Sequence, residues 1–173
     1  MKMFRSRLVV CMSLLTAASA LCAAQTYTMT DLGTISGMTY SVGRAVNAAG
    51  QTTGASGQDG PVAHVFMDTN GQMIDLGTLG GNTGVGNGIN ASGQVAGYST
   101  NANTYRAFIS EGNKLVDIGD LGGGTAVAYA INDAGDVVGS AVTADHSNHP
   151  FLYHAGQMID LGTLGAPQGG RLE

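Results

Sequence analysis

The residues of this chain best suited to chemistry recur at fixed places. Asp31, Asp75, Asp117 and Asp160 each open one short phrase: Asp31-Leu32-Gly33-Thr34-Ile35, Asp75-Leu76-Gly77-Thr78-Leu79, Asp117-Ile118-Gly119-Asp120-Leu121 and Asp160-Leu161-Gly162-Thr163-Leu164. The aspartates are 44, 42 and 43 residues apart. Carboxylates at equivalent places in a repeat array can converge, and there would hold calcium or serve as acid and base. A second chemistry competes with that one. Each aspartate precedes a glycine at the expected end of a strand, where a carboxylate accepts backbone N–H bonds and closes a turn. The turn role is the expectation. Asn132-Asp133-Ala134-Gly135-Asp136 resembles a fragment of a calcium loop but lacks the alternating ligands and distal glutamate of an EF-hand.

Histidine is the other candidate. His64 and His149 are equivalent in the repeat, Arg106 takes the third position, and His146 and His154 lie near His149. Zinc needs three or four converging ligands. His146-x-x-His149 is a short spacing inside a variable segment beside Pro150, so packing or surface roles are expected. Nucleophilic catalysis has no foothold: there is no Gly-x-Ser-x-Gly elbow, and Gly122-Gly123-Gly124 lacks the lysine of a phosphate loop. Asp59, Asp68, Glu111 and Asp145 stand outside the repeated phrase and read as loop or turn residues. The sequence leaves open the paired carboxylates of glycoside hydrolysis, because separation in space is not read from it. No catalytic, cofactor-binding or metal-binding residue is therefore assigned, and no cofactor is expected.

The elements that carry these residues follow from the period. A repeat of this length is one supersecondary module stacked on its neighbours. In the unit from Gly80 to Gly119, strands are expected over 85–90, 94–99, 105–110 and 114–118. Asn90-Ala91-Ser92-Gly93 has type I turn chemistry, asparagine first and glycine fourth. It recurs as Asn47-Ala48-Ala49-Gly50 and Asn132-Asp133-Ala134-Gly135. Four residues later come Gly54, Gly97 and Gly139, read as room for the neighbouring sheet. The second hairpins turn at Gly71, Gly112 and Gly156. Phe66, Phe108 and Phe151 are expected to meet Met73, Leu115 and Met158 across them and, with Ile89, Ile131, Leu79, Leu121 and Leu164, to form the core. The joins Gly57 to Ala63, Thr100 to Thr104 and Ala141 to Asn148 vary in length and sequence, as binding loops of repeat arrays do.

The expected fold is all-β: tandem four-stranded antiparallel repeats in a propeller-like array. It has three units, about 33–76, 77–118 and 119–161, plus one leading strand, Tyr27 to Leu32. Four short strands in about 43 residues fit one propeller blade. Solenoid stacking usually uses shorter coils, and a two-sheet sandwich needs no such faithful repetition. Closed propellers have about 4 to 8 blades, so an open or incomplete ring is expected. Self-association to complete it, or a truncated relative of a longer array, follows from that.

Bulk properties bound the compartment and partners. Lys2, Arg5 and Arg7, an apolar run from Leu8 to about Ala18, and small residues thereafter read as a secretory signal, too short for a spanning helix. Cleavage is expected after Ala24, with Ala20 as the alternative. Lipidation at Cys22, preceded by Leu21, and an uncleaved anchor are disfavoured. The 149 residues left of 173 form one repeat domain, 25–169, and a short tail, 170–173. They contain no cysteine, which excludes a disulfide scaffold or thiolate metal site. All 12 acidic residues remain against Arg44, Arg106, Lys114 and Arg171, a net charge of −8. That surface repels nucleic acid, so no nucleic-acid partner is expected. No membrane span is expected in the mature chain.

Together these residues resemble the HAF-repeat family of bacterial exported proteins. The triplet that names the family stands here as His64-Val65-Phe66, Arg106-Ala107-Phe108 and His149-Pro150-Phe151. The accompanying pattern is best kept by Gly88-Ile89-Asn90-Ala91-Ser92-Gly93-Gln94-Val95-Ala96-Gly97, and the resemblance spans roughly Tyr27 to Gly165. It implies an extracellular or periplasmic repeat protein of propeller-like build, and no reaction or ligand comes with it. The expected function is a non-enzymatic exported protein presenting loops to an unknown protein or carbohydrate ligand. The alternative is a propeller-type enzyme acting on extracellular carbohydrate.

Overall fold

The computed structural model describes residues 28–102 and 104–164. The expected secretory segment, 1–24, and the tail, 170–173, lie outside them. All the sheets belong to the unit that begins at Asp31. The fold is all-β, with no helix among the described residues, and hence none long and apolar enough to cross a membrane.

Twelve strands form three antiparallel four-stranded meanders. Sheet 1 comprises β1 (Tyr40–Val46), β2 (Thr52–Gly57), β3 (Ala63–Thr69) and β4 (Gln72–Gly77). Sheet 2 comprises β5 (Gly84–Ile89), β6 (Val95–Asn101), β7 (Thr104–Glu111) and β8 (Lys114–Asp117). Sheet 3 comprises β9 (Gly122–Ile131), β10 (Val137–Thr143), β11 (Asn148–His154) and β12 (Gln157–Asp160). Sheet 2 lies between the others: β5 packs against β1, β2 and β3, and β9 against β5, β6 and β7. The arrangement is propeller-like and does not close.

The leading strand expected at Tyr27 to Leu32 is not formed: Thr28 to Thr39 holds no strand, and Tyr27 lies outside the described residues. Its counterparts in sequence, β4 and β8, are the last strands of their sheets and bond to the third strand. Among the described residues no strand stands there to satisfy its backbone groups.

The first hairpins turn as the sequence implies. Gly50, Gly93 and Gly135 have φ of 78°, 81° and 85°, and their N–H groups donate to the carbonyls of Asn47, Asn90 and Asn132. The Asn90 side-chain oxygen accepts from the N–H groups of Ser92 and Gln94. The strand glycines make room for a different neighbour than expected. A Cβ on Gly97 would lie 2.0 Å from the Val85 carbonyl and 3.0 Å from the Phe108 ring, both in the same sheet. Each first strand carries an irregularity opposite this glycine, after Gly43, after Gly86 and before Ala130. The bulge pushes a carbonyl into the space that only glycine leaves.

The three phenylalanines are almost wholly buried. Their cross-strand partners differ from the expected ones. Phe66, Phe108 and Phe151 pair with Asp75, Asp117 and Asp160, whereas Met73, Leu115 and Met158 pair with Asp68, Ser110 and Tyr153. The two-residue hairpin loops set this register, which leaves each expected pair diagonal across the hairpin. Leu79, Ile89 and Leu115 pack on the cluster around Phe108, and Leu121, Ile131 and Met158 on that around Phe151. Leu164, expected in the core, is fully exposed, and among the described residues no further sheet covers it. Val65, Val95, Val137, Leu76 and Ile118 carry burial that the sequence did not assign to them.

Candidate functional site

The repeated aspartates do one job four times. The N–H groups of Gly33, Gly77, Gly119 and Gly162 donate to Asp31, Asp75, Asp117 and Asp160 at 2.9, 2.7, 2.8 and 2.7 Å. At Asp75 and Asp117 the bond holds the chain as it leaves one sheet for the next; at Asp31 and Asp160 it closes the same turn at the two ends of the array. The residue four places beyond the aspartate is then pinned to the following sheet. Ser56 Oγ accepts from the Ile35 N–H and donates to the Tyr40 carbonyl. Ser99 Oγ does the same for Leu79 and Thr83. Both serines are completely buried. In sheet 3 the equivalent residue is Ala141, and Leu121 is held instead by a parallel bridge to Thr143.

Histidine supports the same turn. His64 Nδ1 lies 2.9 Å from Asp75, and His149 Nδ1 lies 2.9 Å from Asp160. A carboxylate only accepts, so Nδ1 carries the proton in both pairs. The N–H of Gly162, and then His149, hold the Asp160 carboxyl below the usual carboxylate range. Sheet 2 replaces the pair with a larger network. Arg106 Nε donates to Asp117 at 2.8 Å, and its Nη1 bonds Asp120 and the Gly124 carbonyl. Asp120 stands where the other phrases have Thr78 and Thr163. Burial pushes the Asp120 carboxyl up, but Arg106 and the N–H groups of Gly122 and Gly124 outweigh it and hold it below its ordinary value. Bonding to Asp117 correspondingly raises Arg106, against its burial. The second carboxylate and the larger cation thus occur in the same unit.

The remaining histidines are not brought together. His154 pairs with Asp136 at 2.6 Å, and His146 sits in the β10–β11 join with φ of 66°. Among the described residues no group of three or more His, Cys, Asp or Glu is placed to hold a metal ion. Arg106 and Asp120 as one device escaped sequence reasoning, although both depart from the repeat in the same unit. An asparagine ladder escaped it as well. Asn47 Nδ2 donates to the Asn90 carbonyl at 2.8 Å, and Asn90 Nδ2 to the Asn132 carbonyl at 3.1 Å. Recurrence at a spacing of one unit was the available signal.

Because each sheet is a meander, the β2–β3, β6–β7 and β10–β11 joins lie at the same end of their sheets as the Asp-Leu-Gly crossings. These joins, 58–62, 102–103 and 144–147, carry few of the repeated bonds. In the third, Asp145 accepts from the Thr143 hydroxyl and the Ser147 N–H, which in that order hold its carboxyl below the usual range. At the opposite end, between sheets 1 and 2, Gln51, Gln94, Ser110 and Asn113 line a polar cleft of about 330 Å3. In comparisons with known proteins, no family model matches the chain, and no curated protein or solved structure is significantly similar to it.

Proposed function

We propose that the chain is an exported, non-enzymatic repeat protein that binds a protein or carbohydrate ligand outside the cytoplasm through the joins between its second and third strands. One observation carries the reading. The four recurring aspartates and both recurring histidines are engaged in the repeated Asp-Leu-Gly turns, while the sequence variation gathers in joins at one end. Variable loops on a fixed scaffold are where binding residues concentrate. The HAF resemblance and the basic-then-apolar start of the chain support export.

The test has two parts. The N-terminal residue of the chain recovered outside the producing cell reports export, and Gln25 is the expected result. Affinity electrophoresis in gels containing dextran, xylan or alginate then compares the wild type with Asp59→Ala, Asp145→Ala and Asp160→Asn. Retardation lost in the join variants and kept in Asp160→Asn supports the binding reading. Release of reducing sugar, abolished by neutralising one carboxylate without unfolding, would establish the enzyme instead.

A further inference from the structure

The two junctions inside this chain share one construction, and its two halves recur unused at either side of the stack. The residue before each turn asparagine is the plug. Ile89 packs on the cluster of Val65, Leu76, Val95 and Phe108, between sheets 1 and 2. Ile131 packs on the cluster that includes Ala96, Ala107 and Ile118, between sheets 2 and 3. A Cβ on Gly88 of sheet 2 would meet Ile131 Cγ2 at 3.5 Å. The same clusters hold Met67 and Ile74 of sheet 1 and Ala96 and Ile109 of sheet 2; these belong to the cross-strand rows Thr53–Met67–Ile74 and Ala96–Ile109–Val116, which serve as the socket. An asparagine of the preceding sheet donates to the carbonyl of the plug's neighbour at each junction.

Sheet 3 repeats the socket as Val138–Leu152–Ile159 and makes it more apolar. Here it is open: Val138 is 45% and Ile159 43% exposed. Ala130, Val138 and Leu152 line a groove there of about 220 Å3, with Asn132 and Asp136 at its rim. Asn132 Nδ2 bonds Asp136 as Asn90 Nδ2 bonds Gln94, which leaves it a second N–H to donate. Sheet 1 repeats the plug as Val46, 66% exposed, immediately before Asn47.

We propose that the open face of sheet 3 seats sheet 1 of a second copy of this chain. Val46 of the second copy enters the groove between Ala130, Val138 and Leu152, and Asn132 Nδ2 donates to its Asn47 carbonyl. The contact is head-to-tail, so two copies close through two identical junctions. Six sheets result, within the range of about 4 to 8 that closed propellers use. Thr52 stands where the other sheets have Val95 and Val137, and its hydroxyl and one Asp68 oxygen are buried without a partner. The new junction is thus less apolar than the internal ones and responds to concentration. None of this depends on the ligand.

Light scattering on the chain, purified as the cell produces it, tests the proposal over a dilution series. Twice the chain mass at high concentration, falling to the single mass on dilution, is expected. Val46→Glu and Val138→Glu, both at exposed positions, should each weaken the dimer about ten-fold or more, which corresponds to about 1.4 kcal/mol, while the circular dichroism stays that of the wild type. Mixing the two variants should restore pairing through one intact plug and one intact socket. A monomer at every concentration would overturn the proposal and make a segment of the same chain the cover. A dimer that survives Val46→Glu but not Val138→Glu would also overturn it, in favour of two third sheets back to back. Masses rising without limit would overturn closure by two copies.

Discussion

At the scale of the residue, the chemistry of this chain is spent on crossing from sheet to sheet. The aspartate closes the turn, the histidine or arginine holds the aspartate, and sheet 2 adds a second carboxylate together with a stronger cation. The side chain of Arg106 is 15% exposed and that of Asp120 16%, against 32% and 41% for His64 and Asp75. Exposed pairs contribute about 0 to 1 kcal/mol, whereas an unpaired, largely buried charge costs about 1–3 kcal/mol or more. Arg106→Ala should accordingly destabilise the fold by roughly 2 kcal/mol, and His64→Ala by less than about 1 kcal/mol, in urea titrations. Arg106→His combined with Asp120→Thr recreates the arrangement of the other units. The double variant should be more stable than the sum of the single losses, and strict additivity would show that the two residues do not act as one device.

The same residues set the acid limit. Asp120, Asp136, Asp145 and Asp160 are all held below the ordinary carboxylate value by hydrogen bonds. A carboxylate depressed on folding binds its proton more readily in the unfolded chain. Its stabilisation is therefore complete above the unfolded value of about 3.9 and is lost as pH falls through the lower folded value. Stability should be flat with respect to these groups above about pH 5 and decline below about pH 4. In Asp120→Asn, with Arg106 left facing an amide, the decline should be shallower from a lower plateau. An unchanged slope in thermal melts between pH 5 and 3 would contradict the assignment.

At the scale of the element, the hairpins separate two uses of glycine. Gly93 supplies a positive φ with little around it beyond the Gln51 side chain, and Gly97 supplies absent volume against a backbone carbonyl. The left-handed conformation costs an ordinary residue about 1–2 kcal/mol. A Cβ 2.0 Å from the Val85 carbonyl cannot be relieved by turning a side chain, so the sheet itself must shift. Gly97→Ala should lower the urea midpoint several-fold more than Gly93→Ala. Valine at Gly93 or Gly135 should cost more than alanine, as β-branching resists positive φ. Turn type, the four strands of each unit and the role of the aspartates were legible because each is local: asparagine and glycine at fixed offsets dictate backbone angles over four residues. Register was not legible, since the length of a two-residue loop decides that Phe108 faces Asp117 and not Leu115. Nor was it legible that Leu76 and Ile118 bury while Leu161 and Leu164 do not. The four phrases read alike, and only the presence of a following sheet separates them.

At the scale of the whole molecule, each sheet meets only its neighbours, as in other repeat arrays whose stability is a sum of units and junctions. Sheet 2 has a junction on both faces and sheets 1 and 3 have one each, so the three sheets are not equally hard to open. Local opening is most costly where apolar contacts are densest. Amide exchange of a dilute sample should therefore be slowest in β6 and β7, and faster in β1, β2, β10 and β11. Asn90, 3% exposed and bonded to the turns on both sides, ties the three units together. Asn90→Ala should raise exchange throughout sheet 2 and erase much of its advantage. Concentration supplies the second half of the argument. If a second copy seats on the outer faces, sheets 1 and 3 each gain the junction they lack, and mass action slows their exchange as the sample is concentrated. The ratio of protection between sheet 2 and its neighbours should then fall toward one, with β9 and β10 responding together with β1. A ratio that stays constant over a hundred-fold range of concentration would mean that the outer faces meet nothing but solvent or their own chain.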